Sequence, residues 1–296
     1  MEGLLKNKIK PILAITKPDK PSGRKKIITP PPVKVLAQKN GISVLQPEKI
    51  GEIEKELKKL KPDLMIIAAF GEIIPEKILQ IPRRGCLNVH PSLLPKYRGA
   101  SPIQFAILNG EQETGVTIIL VNEKMDRGPI LAQTKIKLKE NKIIFPDLEK
   151  KLAELGAELL VKIIPDWIGN NIKPESQREK EATYTKVLKK EDGKINWSKE
   201  AQDIERQVRA FNPWPGAFCN CEGKIIKILK ASTLKSSEGS PKGPAGKTYL
   251  ATNEQIAVQC KKDYLIIEEL QLEGRKKTTT GNFLKGNIDF IGKILK

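Results

Sequence analysis

At 296 residues with a formal net charge of +18, the chain has room for two domains, and its charge suggests a polyanionic partner, the alternative being a lysine-rich surface that serves solubility. Its longest apolar run, residues 64–70, is far short of the roughly 20 residues that span a bilayer. Met1-Glu2-Gly3-Leu4-Leu5-Lys6 is charged on both sides of a short apolar pair, which excludes a signal-peptide pattern. A soluble, cytoplasmic protein is expected. Cys86, Cys219, Cys221 and Cys260 are spaced neither as a disulfide framework nor as a zinc site and read as reduced thiols.

Residues 2–9 read as the end of a helix, and 12–15 as a short apolar strand. Lys17-Pro18-Asp19-Lys20-Pro21-Ser22-Gly23-Arg24-Lys25-Lys26 is a Pro/Gly/Lys loop. A helix is expected over 31–40 with Gly41 as its stop, a strand over 42–45 and a charged helix over 52–60. The run 64–70 is apolar throughout, as for a strand covered on both faces. A helical turn or two falls at 75–80, and the strand 85–90 carries Asn88 and His90 towards its C-terminal end. Ser101-Pro102-Ile103-Gln104 has the form of a capping box opening a helix that Gly110 closes. Strands follow at 115–121 and 130–138. From Pro146, Leu148, Leu152, Leu155, Leu159 and Ile163 form one helical stripe, read as core, with Pro165 kinking or ending the helix.

Strands alternating with helices give an α/β sheet over residues 1–170. Residues 171–199 are polar and lysine-rich and read as a linker. Over 200–296, one helix at 200–209 precedes short strands at 224–230, 248–252, 255–260 and 264–272, the pattern of a small β-barrel. Residues 236–246 read as a loop. Neither a P-loop nor a G-x-G-x-x-G fingerprint occurs, so a nucleotide cofactor is not indicated.

His90 is the only histidine in the chain, and no other side chain titrates near pH 7 unaided. Asn88 lies two residues earlier, on the same side of an extended strand. Asp126 follows a later strand. Open α/β sheets gather their sites at the C-terminal ends of strands. An amide donor, an imidazole and a carboxylate are suitable parts for acid/base chemistry on a carbonyl. Each has a structural alternative: a core histidine, a turn-forming Asn88, a turn acid at Asp126. For Trp214, between Pro213 and Pro215, core packing or a rigid corner is expected.

Asn88-Val89-His90, Ser92-Leu93-Leu94-Pro95 and Asp126 together resemble the active-site segment of the folate-dependent formyltransferases. The loop from Lys17 to Arg24 resembles those members of the family that act on methionyl-tRNA. So do Phe211-Asn212-Pro213-Trp214-Pro215-Gly216-Ala217 and Gln271-Leu272-Glu273-Gly274-Arg275-Lys276-Lys277. The resemblance implies a Rossmann-like catalytic domain followed by an OB-like tRNA-binding barrel. It implies transfer of a formyl group from 10-formyltetrahydrofolate to the α-amine of methionyl initiator tRNA, for translation initiation. By motif match, Asn88, His90 and Asp126 take the catalytic positions, Ser92 to Pro95 the folate-pocket loop, and Arg24 a contact to the tRNA acceptor end. Lys25 and Lys26 beside it, and Arg275, Lys276 and Lys277 in the barrel, read as further phosphate contacts. No metal and no membrane are needed, and a monomer is expected.

Formyl transfer to an amine passes through a tetrahedral oxyanion. Asn88 would stabilise it, and His90 would donate to it or take the amine proton. Asp126 would orient His90, raise its pKa and relay a proton through water to the leaving folate nitrogen. The chain departs from the family pattern at its start, where an apolar strand, a Gly-containing turn and the first part of a helix are lacking. The expectation is that Met1 is not the native start and that roughly twenty residues precede it. Without that central strand, unpaired backbone and apolar surface should be exposed. Two other readings stay open: a formyltransferase for a small amine (phosphoribosylglycinamide or an amino-sugar nucleotide), and a non-catalytic tRNA-binding protein.

Overall fold

The computed structural model describes residues 1–23, 26–138, 142–237, 243–251 and 254–296. The chain divides into two compact units, one of residues 1–100, 114–136 and 150–185, the other of 101–113, 137–149 and 186–296.

The first helix, α1 (Glu2–Lys6), leads to β1 (Leu13–Ile15). A hairpin of β2 (Lys20–Ser22) and β3 (Ile27–Thr29) stands where the sequence predicted only a loop. Helix α2 (Pro32–Lys39) opens on a proline, whose missing N–H would have no partner there anyway, and Gly41 follows at φ +61°. Next come β4 (Ser43–Leu45), α3 (Glu54–Leu60), β5 (Met65–Ile67), α4 (Glu76–Leu79), β6 (Cys86–His90) and β7 (Arg98–Gly99). Helix α5 (Pro102–Leu108) lacks a side-chain cap, because the Ser101 hydroxyl donates instead to the Lys186 carbonyl at 2.9 Å. The expected capping box therefore does not form. Strands β8 (Glu113–Leu120) and β9 (Ile130–Lys137), helix α6 (Phe145–Ile168) and β10 (Tyr184–Thr185) follow.

The strands of the first unit do not make one sheet. β1 pairs in parallel with β4, while β5, β6, β8 and β9 form a separate four-stranded sheet in that order. Both rest on one apolar cluster, Ile50, Ile53, Leu57 and Ile78, against which Leu13, Ile15, Leu45 and Met65 pack. β5 is three residues long, shorter than the apolar run suggested. Ile66 is 37% exposed, so the run read as covered on both faces is not fully covered, and Ile12, just before β1, is 63% exposed. β6 is parallel to β5 and antiparallel to β8, giving a mixed sheet.

Helix α6 lies close on this sheet at Gly156, where a Cβ would come within 2.7 Å of Val89 Cγ1. Glycine makes that approach possible. Leu148, Leu152 and Ile163 are buried, and Leu155 and Leu159 half-buried. Pro165 does not end the helix, which runs on to Ile168. Loss of one backbone bond so near the C-terminal end is tolerated.

In the second unit α5 packs on α7 (Ala201–Phe211). Strands β11 (Ala217–Cys221), β12 (Lys224–Leu234), β13 (Thr248–Leu250), β14 (Ile256–Gln259), β15 (Tyr264–Leu272) and β16 (Thr278–Thr279) pair antiparallel in the order β11-β12-β15-β14-β13, with β16 beside β15. Helix α8 (Thr280–Leu284) follows. The core holds Ile204, Ile226, Ile228, Val258, Leu265 and Ile267, and also Ile195 and Trp197 from the stretch read as a linker. The four cysteines are buried and unpaired. Trp214 is 54% exposed, so it is not core. The architecture is a Rossmann-like α/β domain followed by a small OB-like β domain. No helix among the described residues is long and apolar enough to cross a membrane.

Candidate active site

β6 delivers His90 at its end, opposite Thr117 of β8. The turn after it is built on buried polar bonds. Thr117 Oγ1 donates to the Ser92 carbonyl (2.7 Å) and accepts from the Leu94 N–H (3.0 Å). Gln133 Nε2 donates to Thr117 Oγ1 (2.9 Å) and to the Leu94 carbonyl (2.7 Å). Within Ser92–Pro95 the side chains of Ser92 and Leu94 point inward and are buried, while Leu93 and Pro95 are half-buried. The Ser92 hydroxyl is spent on the Lys96 carbonyl at 2.7 Å.

His90 is 4% exposed, and its Nε2 lies 3.0 Å from the Tyr97 carbonyl oxygen. A carbonyl only accepts, so in the neutral ring Nε2 carries the proton and Nδ1 keeps a free lone pair. Nδ1 stands 3.6 Å from Asp126 Oδ1, an ion-pair distance too long for a hydrogen bond. Asn88 Nδ2 donates to the same oxygen at 3.4 Å. The other oxygen, Oδ2, accepts the Gly99 N–H at 2.8 Å. Gly99 has φ +108°, and a Cβ there would meet the Thr185 carbonyl oxygen at 2.4 Å, so only glycine presents this N–H. Asn88, His90 and Asp126 therefore converge. They do so by a route the strand-end rule did not foresee. β8 runs antiparallel to β6, its Leu120 end lies beside Leu87, and the following turn brings Asp126 to His90.

The sequence predicted that Asp126 would raise the His90 pKa. Burial outweighs it: desolvation of the imidazolium holds His90 below its ordinary value of 6.5, against the opposing pull of the Asp126 carboxylate and the Tyr97 carbonyl. At neutral pH the ring is neutral, with Nδ1 open to accept a proton. The unfolded chain protonates His90 near 6.5 and the folded chain only at lower pH. Below about pH 6.5 the unfolded state therefore binds more protons, and stability falls as pH falls through that window. Melting temperatures should drop from pH 7 to about pH 5, and His90→Gln should flatten that part of the curve.

Of the predicted basic contacts, Lys26 is exposed at the β2–β3 turn with φ +49°. Arg24 and Lys25 lie outside the described residues. Arg275, Lys276 and Lys277 are exposed in the turn between β15 and β16, beside Gly274 at φ +74°. Sequence reading missed Tyr97, Gly99, Thr117 and Gln133. Tyr97 and Gly99 directly follow the recognised Ser92–Pro95 segment and could have been suspected. Thr117 and Gln133 reach the site through cross-strand pairing, which leaves no local signal.

Two family models match the chain: formyl transferase over residues 2–164, and formyl transferase C-terminal domain over residues 187–287. The chain belongs to the formyl transferase family. Among curated formyl transferases, methionyl-tRNA formyltransferase of Geotalea uraniireducens is 43% identical over 288 residues, covering 96% of this chain and 90% of that protein. The enzyme of the same name from Bacillus velezensis is 40% identical over 284 residues, covering 95% and 88%. Two solved structures share the fold. The N-formyltransferase from Helicobacter canadensis, in complex with folinic acid and dTDP-3-aminofucose, aligns with a TM-score of 0.65 at 24% identity, covering 90% of this chain and 93% of that one. HypX from Aquifex aeolicus, in complex with tetrahydrofolic acid, aligns at 0.61 and 19%, covering 86% and 44%.

Proposed function

We propose that this formyl transferase moves the formyl group of 10-formyltetrahydrofolate to the α-amine of methionyl initiator tRNA, in the cytoplasm, for translation initiation. The observation that carries this reading is the 40–43% identity, over 95–96% of this chain, with proteins named methionyl-tRNA formyltransferase. The amine nitrogen attacks the formyl carbon, and the carbonyl becomes an oxyanion. Asn88 donates its amide N–H to that oxyanion, a contact of a kind worth roughly 10²–10³-fold in rate. His90 Nδ1 takes the proton the attacking nitrogen sheds, and Asp126 steadies the resulting imidazolium. The folate nitrogen leaves with the bonding pair and receives that proton through water. The substrate amine is the nucleophile, so no side chain need form a covalent bond.

Residues 1–170 carry this chemistry in the reading and 200–296 bind tRNA, while the connecting 171–199 also adds Ile195 and Trp197 to the second unit's core and Gln177 to the Asp126 turn. Ser92, Leu93, Leu94 and Pro95 line the folate pocket, the two buried side chains by holding the turn in shape. Arg24, Lys25, Lys26, Arg275, Lys276 and Lys277 meet tRNA phosphates. The reading takes the protein as a monomer. Replacing Arg275, Lys276 and Lys277 together by alanine should weaken tRNA binding and reduce the slope of log K against log salt by about one per lost phosphate contact. The kcat at saturating tRNA should hold. Filter binding over a salt series reads both.

Substrate choice tests the reading. Methionyl initiator tRNA, phosphoribosylglycinamide and an amino-sugar nucleotide would be offered in parallel with 10-formyltetrahydrofolate. Turnover of the tRNA alone is expected, and preferential turnover of either small amine would overturn the assignment.

A further inference from the structure

The Asp126 turn is gripped from the stretch that reads in sequence as a linker. Gln177 Nε2 donates to the backbone carbonyls of Asp126 (2.8 Å) and Gly128 (2.7 Å). Its Oε1 accepts from Arg98 Nε (3.0 Å) and Nη2 (2.8 Å). Chemistry fixes this orientation of the amide. A guanidinium only donates and a carbonyl only accepts, so the oxygen must face Arg98 and the nitrogen the turn.

Arg98 is fully buried, at 0% exposure. Its remaining N–H groups go to Glu179 Oε1 (2.9 Å), Glu179 Oε2 (3.0 Å) and the Tyr184 hydroxyl (3.1 Å). Each of its five donors thus has an acceptor, which makes the guanidinium a fixed anchor for the Gln177 amide. β7, which holds Arg98 and Gly99, is itself paired in parallel with β10. Asp126 needs such support, because its backbone is left-handed at φ +52° and Met125 beside it is exposed. The residue is held twice: its carboxylate by the Gly99 N–H, its backbone by Gln177.

We propose that Gln177, anchored on Arg98, is a positioning residue that sets where the Asp126 carboxylate stands against His90. The inference rests on the reading of Asp126 and His90 as catalytic partners. Gln177→Glu keeps the shape and the acceptor for Arg98 but turns an oxygen towards two carbonyl oxygens. It should lower kcat about tenfold to a hundredfold while KM for tRNA and folate stays within about twofold, since a displaced catalytic group costs rate rather than ground-state binding. Residues that act through one another are not additive. On an Asp126→Asn background, Gln177→Glu should therefore cost little further kcat. Gln177→Met, which also lacks the donor, carries the same cycle if the glutamate variant does not fold.

Full additivity in the double variant, or a Gln177 variant with wild-type kcat and only a lowered melting temperature, would reduce Gln177 to a structural residue. Wild-type kcat in Asp126→Asn alone would instead remove the catalytic reading on which the inference stands.

Discussion

His90→Gln is expected to lower kcat for formyl transfer by about 10²–10⁴-fold, the usual loss on removing a positioned general base. Glutamine can still donate an amide N–H towards the Tyr97 carbonyl, so the buried site keeps a partner there. It offers no lone pair of comparable basicity where Nδ1 stands. In the wild-type chain kcat should fall on the acid side as Nδ1 is protonated. Burial holds the imidazole below its ordinary value, so that limb should lie below about pH 6.5. The limb should vanish in His90→Gln. A profile with the same acid limb in both proteins would mean that another group takes the amine proton.

Asp126→Asn should cost a comparable factor, about 10²–10⁴-fold in kcat, with little change in KM. The substituted oxygen would face the Gly99 N–H, which needs an acceptor. The new amide nitrogen would then face Asn88 Nδ2, donor against donor, and the His90 Nδ1 lone pair. Donation to that lone pair ties up the base, and loss of the charge removes what steadies the imidazolium. The remaining acid limb should move to lower pH, because a negative neighbour is what favours the protonated ring. Movement to higher pH, or an unchanged kcat, would show that Asp126 does not act on His90.

The parts of the molecule that could be read from sequence are those where local pattern and tertiary role agree. The strand 264–272 has the predicted ends, since an apolar run lies between Lys261-Lys262-Asp263 and the Gly274 turn. α2 stops just before Gly41. The β2–β3 hairpin was hidden because β2 is Lys-Pro-Ser, a poor strand sequence, and β3, though β-branched, is three residues long and exposed. β11, Ala-Phe-Cys-Asn-Cys, lacks the β-branched residues that mark a strand, although alternate side chains are buried. The division into two sheets leaves no local signal, since strand pairing is non-local.

The site shows the same split. Asn88, His90 and Asp126 could be nominated because residue type and motif are local properties. The sign of the His90 shift could not, since sequence shows the neighbouring charge but not the burial that outweighs it. Gln177 sits among charged and polar residues with nothing to distinguish it. Its partners, Arg98 and the Asp126 turn, are brought to it by the fold.

Formyl transfer to methionyl initiator tRNA by the purified 296-residue chain, with labelled 10-formyltetrahydrofolate, tests the central claim most directly. Label appearing in formylmethionyl-tRNA, and lost in His90→Gln, is the predicted result. A folded chain that binds the tRNA in a salt-sensitive manner yet transfers no label would contradict it and leave a tRNA-binding protein without catalysis.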